Sequence, residues 1–338
     1  MPTLPSLPAP RDVLRAMGGR ASFVRLVVVT IAIFVTFSLL NPGVFLSGAN
    51  FQYIFLSAPE LTLLSLAMSL TMLTAGIDLS VVGISNVAAI VAAQLMLSGT
   101  SVSLAVLAAL VVGACCGLLN AALVAGLRVP PILATLGTQQ LFTGLALVLS
   151  GGTVLMGLPA SFTSVALTTV AGVPLIFEIM LLIALVVAIV TNNTTLGFRM
   201  RLVGANPKAA DYSGIRRGRV LMATYLMSGV LAGVAGLIIS SRASGANSQY
   251  GTSYILLAIV VAVLAGVNPD GGYLTVAGVV ISVLALQMLA TGLLSLQDSP
   301  HVVNIAQGAL LIVMVLWNTW GSSLVEWRRS RREAAVAA

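Results

Sequence analysis

Charge is the property this chain has least of. Only 7% of its 338 residues are Asp, Glu, Lys or Arg, against about 25% in an ordinary soluble domain. With 59% hydrophobic residues beside so few charges, a water-soluble fold could not cover its own surface. Lysine occurs once, at Lys208, and no Gly-x-x-x-x-Gly-Lys-Ser/Thr string surrounds it. The chain therefore cannot build a P-loop nucleotide site. Histidine also occurs once, at His301, and the two cysteines, Cys115 and Cys116, are neighbours in an apolar run. A metal centre needs more ligands than these supply, so the cysteines read as small packing residues and His301 as part of a short external loop. Carboxylates inside apolar stretches reduce to Glu60 and little else. That leaves no catalytic constellation, and few of the buried acidic groups by which proton- or sodium-coupled carriers usually work. The sequence describes a path whose energy comes from elsewhere.

What is present in quantity is uninterrupted apolar sequence. Mean hydropathy is +1.09. No charge falls in Leu26–Pro59, Leu79–Leu127, Val129–Phe177, Val220–Ser241, Gly271–Gln297 or Val302–Val325. A helix needs about 20 apolar residues to cross the hydrocarbon core, so several of these runs hold two crossings and a turn. A transmembrane barrel would show segments of about ten residues with alternating polarity instead. The expected class is an all-α polytopic membrane protein of about ten transmembrane helices. These are Phe23–Phe45, Tyr53–Thr74, Leu79–Leu97, Leu104–Leu127, Pro131–Leu149, Val173–Val190, Val220–Ser240, Tyr254–Val267, Leu274–Leu294 and Val302–Trp320. The first is too long for a signal-peptide core and is expected to stay uncleaved. Gly113, Gly117, Gly229, Gly233 and Gly236 recur at helical spacing and would let backbones approach closely.

The net charge of +7 does not point to nucleic acid, because the Lys and Arg residues flank apolar runs. Arg11, Arg15, Arg20 and Arg25 precede the first run. Arg199, Arg201, Lys208, Arg216, Arg217 and Arg219 surround a single Asp211, and Arg328, Arg329, Arg331 and Arg332 lie near the C-terminus. The positive-inside rule puts all three clusters, and hence both termini, in the cytoplasm. Six spans before the middle cluster and four after it satisfy that placement. Arg128 also falls inside, and Arg242 falls outside.

Two stretches stand out against this background. The loop of residues 193–219 is long, polar and basic. Within it Asn206 can cap a short helix with Pro207 at its first position, and Gly214 can end it. The helix would cover about Pro207–Ser213 and serve either as an orientation signal or as a docking element for a cytoplasmic protein. The second stretch is Thr74-Ala75-Gly76-Ile77-Asp78-Leu79-Ser80, where a carboxylate and a glycine interrupt apolar sequence. Transporters use broken helices to present polar groups to a path, while an Asp at a helix start also serves as a plain cap. Gly266–Gly272, with Asp270, is a similar break.

Ala75-Gly76-Ile77-Asp78-Leu79-Ser80-Val81 is similar to the GGIDLSVG segment of the ribose-type permeases of ABC importers. Asn120, then Leu127-Arg128-Val129-Pro130-Pro131-Ile132 and Thr135-Leu136-Gly137-Thr138, resemble a second conserved stretch of that family. Leu196-Gly197-Phe198-Arg199, Gly204 to Ala210 and Ser213-Gly214-Ile215 resemble a third. Tyr225 to Gly229, Ala235-Gly236-Leu237 and Ser241-Arg242 resemble a fourth. The likeness runs in order over about residues 30 to 320. It departs at Ala75, where the family has glycine, at the extra residue in Val81-Val82-Gly83, and at Ala265 to Tyr273.

The resemblance implies a permease domain over 23–320, a cytoplasmic N-terminal tail over 1–22 and a basic cytoplasmic C-terminal tail over 321–338. It implies a bacterial inner-membrane protein, bounded by membrane lipid and paired with a second copy or a paralogue. Such a permease receives a sugar or sugar-like solute from a periplasmic binding protein. It binds no cofactor, since ATP is used by a separate ATPase subunit. Gly204, Asn206, Pro207, Ala209, Ala210, Ser213 and Gly214 would couple to that ATPase. Asp78, Asn86, Gln139 and Gln140 are polar enough to line the path, and interhelical hydrogen bonding is the competing role for each. Arg242 and Asn247 are the candidates for contact with the binding protein. The opposing readings are a self-sufficient carrier or channel, which would work without ATP, and a membrane enzyme, which would need a clustered polar site.

Overall fold

The structure, a computed structural model, describes residues 10–297, 299, 301–314 and 316–317. The Pro-rich residues 1–9 and the tail 321–338, with Arg328, Arg329, Arg331 and Arg332, lie outside them. In a bilayer a spanning backbone must satisfy its own N–H and C=O groups, and here it does so as helices. They are α1 (Pro10–Leu40), α2 (Pro42–Phe45), α3 (Gly48–Leu73), α4 (Val81–Leu97), α5 (Val102–Ala121) and α6 (Pro131–Ser150). Next come α7 (Ala160–Leu167), α8 (Leu175–Asn193), α9 (Thr195–Ala205), α10 (Pro207–Tyr212), α11 (Arg217–Ala243), α12 (Tyr254–Leu264) and α13 (Val276–Ser295). A further apolar helix, α14, covers His301–Met314.

Among the described residues, 7 helices are long and apolar enough to cross a membrane: Ser22–Leu40, Gly48–Leu73, Val102–Gly126, Pro131–Ser150, Leu175–Asn193, Arg217–Ala243 and Val276–Ser295. The helices α4, α12 and α14 are apolar but shorter. Each of the ten segments expected from the sequence falls on one of these. The chain is an all-α polytopic membrane protein. At 1.5 Å per residue α12 rises only about 16 Å, roughly half the hydrocarbon thickness, and it stops at the Gly266 break.

Local structure departs from expectation in four places. Helix α1 begins at Pro10, inside the stretch assigned to a tail, because Leu, Arg, Ala and Met there are good helix formers. The end of α5 widens into a π-helical turn at Ala122–Gly126. Helix α7 and two short antiparallel pairs fill loops between spans: Leu155–Met156 with Gly245–Ala246, and Thr169–Val170 with Val173–Pro174. The second pair turns on Ala171 and Gly172, both at positive φ, which suits a two-residue hairpin. Strands of two residues leave no periodic signal in sequence. Finally, the basic loop contains α9 as well as α10.

The core is built on α3 and α11. Helix α3 is buried from Ser57 to Leu73, and α11 packs against α3, α4 and α5. Small residues make the α5–α11 crossing possible. A Cβ on Gly229 would stand 2.2 Å from the Gly113 carbonyl oxygen. Apolar side chains instead face outward on α1 (Val24, Val28, Ile31, Val35 and Leu39) and on α8 (Leu181, Leu182, Leu185, Val186 and Ile189).

Candidate functional site

The interrupted stretch after α3 is a true break. Helix α3 ends at Leu73, Ala75 takes a left-handed φ of 60°, and α4 starts at Val81. Asp78 lies between them and is fully buried. Its Oδ1 accepts hydrogen bonds from the Ser80 backbone N–H at 3.0 Å and the Ser80 hydroxyl at 2.6 Å. That is an Asx-type turn feeding α4. The carboxylate also binds neighbouring helices. Oδ2 accepts from Ser228 Oγ on α11 at 3.1 Å, and Oδ1 lies 3.5 Å from Asn120 Nδ2 on α5.

The network continues outward. Asn120 Nδ2 donates to Ser80 Oγ at 2.7 Å, and Asn120 Oδ1 accepts from Thr138 Oγ1 on α6 at 2.7 Å. Thr135 Oγ1, also on α6, donates to the Ile77 carbonyl at 3.0 Å. The start of α4, α5 and α11 thus meet at one buried carboxylate, and α6 joins them through Asn120. A buried charge is tolerated only when its hydrogen-bond capacity is filled, and here it is largely filled by neutral donors.

The basic loop folds into two capped helices. Thr194 caps α9 by accepting from Gly197 N at 3.2 Å. Asn206 Oδ1 caps α10 by accepting from Ala209 N at 3.0 Å, and Pro207 occupies the first turn. Ser213 Oγ donates to the Ala209 carbonyl at 2.9 Å. Gly214, at φ 74°, stops the helix in the left-handed conformation glycine permits. Helix α10 covers Pro207–Tyr212, one residue short of the expected length. Its Ala210 side is buried, whereas Lys208, Ala209 and Asp211 are exposed. Tyr212 is 93% exposed and Phe198 63%. Phe198 lines a cavity of about 700 Å³ together with Arg199, Ile215, Arg216 and Arg219.

Gly204 joins these two regions. A Cβ there would meet the Leu73 carbonyl oxygen at 2.0 Å and the Gly272 nitrogen at 2.6 Å. Gly272 N donates to that same Leu73 carbonyl at 2.9 Å. The end of α3, the end of α9 and the α12–α13 loop therefore touch backbone to backbone, five residues from Asp78 along the chain.

The other residues singled out in the sequence have definite surroundings. Asn86 Nδ2 donates to the Ser248 and Tyr250 carbonyls at 2.9 and 3.0 Å. Gln139 Oε1 accepts from Gly83 N at 2.9 Å. Gln140 is exposed on α6. Arg242 lies in the last turn of α11, with its side chain 35% exposed. Its guanidinium reaches Glu60 at 3.0 Å and Ser57 Oγ at 3.0 Å. Tyr254 donates to the same Glu60 oxygen at 2.7 Å. Asn247 Oδ1 accepts from Gln249 N at 2.8 Å, a local turn. Asp270 is exposed, and among the described residues only its backbone N–H is engaged, with Asn268 Oδ1 at 3.0 Å.

Asn120, Thr138, Ser228, Tyr225 and Tyr212 were not singled out as site residues. The first four were legible as members of the family-like strings, but nothing in those strings said that they converge. Tyr212 carried no signal beyond being aromatic in a polar loop.

Residues 50–315 match the family described as branched-chain amino acid transport system / permease component. The chain is 36% identical over 260 residues to the autoinducer 2 import system permease protein LsrD of Escherichia coli strain SMS-3-5 / SECEC, covering 75% of this chain and 79% of that protein. It is equally similar, over the same shares, to LsrD of Escherichia coli K12 and of Shigella flexneri. No solved structure matches it. With its segments, helices and relatives in agreement, the chain belongs to this permease-component family, as a permease of the ribose-type ABC importer kind.

Proposed function

We propose that this chain forms the translocation path of an ATP-driven importer in a bacterial inner membrane, taking a sugar-like solute from a periplasmic binding protein. Helix α10 and the basic residues around it face the cytoplasm, as the positive-inside rule requires. Both termini lie on that side, and the ten helices supply ten crossings, α12 completing its own with the non-helical residues at its ends. A second permease subunit completes the path, and lipid covers the outward apolar stripes. ATP is bound and hydrolysed by a separate subunit docked on α10. Arg242 and Asn247, at the opposite end of α11, lie where the binding protein would sit.

The observation that carries this reading is the capped helix α10 with its bare Tyr212 and Ala209, tied through Gly204 to the end of α3. Exposed tyrosine is typical of the anchors that dominate protein interfaces. A docked ATPase that shifts α10 would push on Leu73 and Gly272, and so on the turn that holds Asp78. Alternating access then needs only a rearrangement of the network of Asp78, Asn120, Thr138 and Ser228. Gln140 on the exposed face of α6 is the best placed of the polar path candidates. Asn86 and Gln139 hold neighbouring segments together.

The test is recovery of a P-loop ATPase with the detergent-solubilised chain. Ala209→Asp with Tyr212→Ala changes only exposed side chains, whereas substitution of Ala210, 2% exposed, would disturb packing. Wild type is expected to retain the ATPase and the double variant to lose at least nine-tenths of it. Equal recovery by both would remove α10 from the coupling role. Solute uptake by the purified chain alone in liposomes would favour a self-sufficient carrier instead.

A further inference from the structure

A cavity of about 640 Å³ opens beside the broken turn, separate from the groove around Phe198. Its walls come from the Ala75–Gly76 turn, the α5–α6 turn at Arg128 and the starts of α6 and α11. Two features set it apart from a packing gap. The first is charge. Arg128 and Arg217 line it, and among the described residues neither guanidinium has a hydrogen-bond or ion-pair partner. The first turns of two long helices, at Pro131 of α6 and at Arg217 and Gly218 of α11, also lie on its wall. Helix starts carry the positive end of the helix dipole, and the Arg217 and Gly218 N–H groups at the start of α11 have no intrahelical partners, whereas Pro130 and Pro131 at α6 have no N–H to offer. Asp211 is the single carboxylate on the wall.

The second feature is an orphan donor. Tyr225 lines the cavity, is 0% exposed, and among the described residues its hydroxyl has no hydrogen-bond partner. A Cβ on Gly76 would stand 2.8 Å from that hydroxyl, so the oxygen sits against the broken turn itself. A buried hydroxyl without a partner costs free energy that a ligand acceptor would recover. Two residues of the wall, Ala75 and Arg128, also hold left-handed φ values of 60° and 59° without being glycine, strain of the kind found at ligand clamps.

We infer that this cavity binds a phosphate group, gripped by Arg128 and Arg217 at its mouth and by the Tyr225 hydroxyl at its base. Arginine pairs and helix starts are the usual recognition elements for phosphoryl oxygens. The group comes either from an anionic lipid headgroup or from a soluble phosphate. The inference stands apart from the importer reading, because binding is measured without any ATPase.

The full chain in neutral detergent is titrated with inorganic phosphate. In parallel it is reconstituted in nanodiscs of phosphatidylglycerol or of phosphatidylcholine and scored by bound-lipid mass and melting temperature. Wild type is expected to melt several degrees higher with one of the anionic probes. Saturation by inorganic phosphate assigns the soluble source, and a response confined to phosphatidylglycerol assigns the headgroup. Arg128→Gln with Arg217→Gln should weaken binding at least tenfold. Tyr225→Phe should weaken it three- to tenfold while the unliganded chain melts no lower than wild type. Arg199→Gln with Arg219→Gln, equal in charge change but outside this cavity, should bind as wild type. The inference fails if wild type responds to neither anionic probe, if the Arg199 and Arg219 variant loses as much affinity, or if Tyr225→Phe binds normally.

Discussion

The two glycine-and-aspartate breaks look alike in sequence and are opposites in the fold. In Thr74–Ser80 the aspartate is the centre: Asp78 is buried and accepts from Ser80, Ser228 and Asn120. In Gly266–Gly272 the aspartate is incidental, since Asp270 is exposed and its carboxylate is unengaged among the described residues. There the glycines matter. A Cβ on Gly271 would fall 2.7 Å from the Gly204 Cα, and the Gly272 N–H holds the end of α3. One break is specified by side chains and the other by their absence. They meet at Leu73, so a side-chain network and a backbone joint form one device.

The largest expected effect tests the backbone half. Gly204→Ala would place a methyl 2.0 Å from the Leu73 carbonyl, beyond what side-chain repacking absorbs. A loss of about 3 kcal/mol or more is expected, seen as collapse of the monodisperse peak in detergent. Near-normal behaviour would mean the joint is loose. Next comes the side-chain half. Asp78→Ala strands three buried donors and should cost about 3 kcal/mol, whereas Asp270→Ala should stay within about 0.5 kcal/mol. Melting curves of the purified variants decide this pair, and equal shifts would erase the contrast. Smaller again is Thr138→Val, which removes one donor to Asn120 and should cost about 1 kcal/mol. If Thr138→Val destabilises as much as Asp78→Ala, the network is centred on Asn120 instead.

Among the described residues, the apolar runs alone located the seven membrane-length helices and the three shorter apolar ones, because a bilayer leaves the backbone few alternatives. The cap at Asn206, the Pro207 start and the Gly214 stop were legible for a similar reason, since each residue acts on its own neighbours. The difference between Asp78 and Asp270 was not legible. It depends on Asn120 and Ser228 arriving from α5 and α11, and a single sequence does not show which distant residues share a site. Arg242 illustrates the same limit. Its position after an apolar run suggests an outer loop, yet it pairs with Glu60, 182 positions earlier. The short strand pairs and α7 were invisible because they lack periodicity and depend on contacts made elsewhere.

In the proposed mechanism α10 and the Asp78 turn move as one unit through the Gly204 joint. Amide hydrogen exchange of the chain, with and without the ATPase bound, tests it most directly. Altered exchange is expected at residues 207–214 together with residues 74–80 and 271–272, while α1 and α8 stay unchanged. Altered exchange confined to residues 207–214 would contradict it.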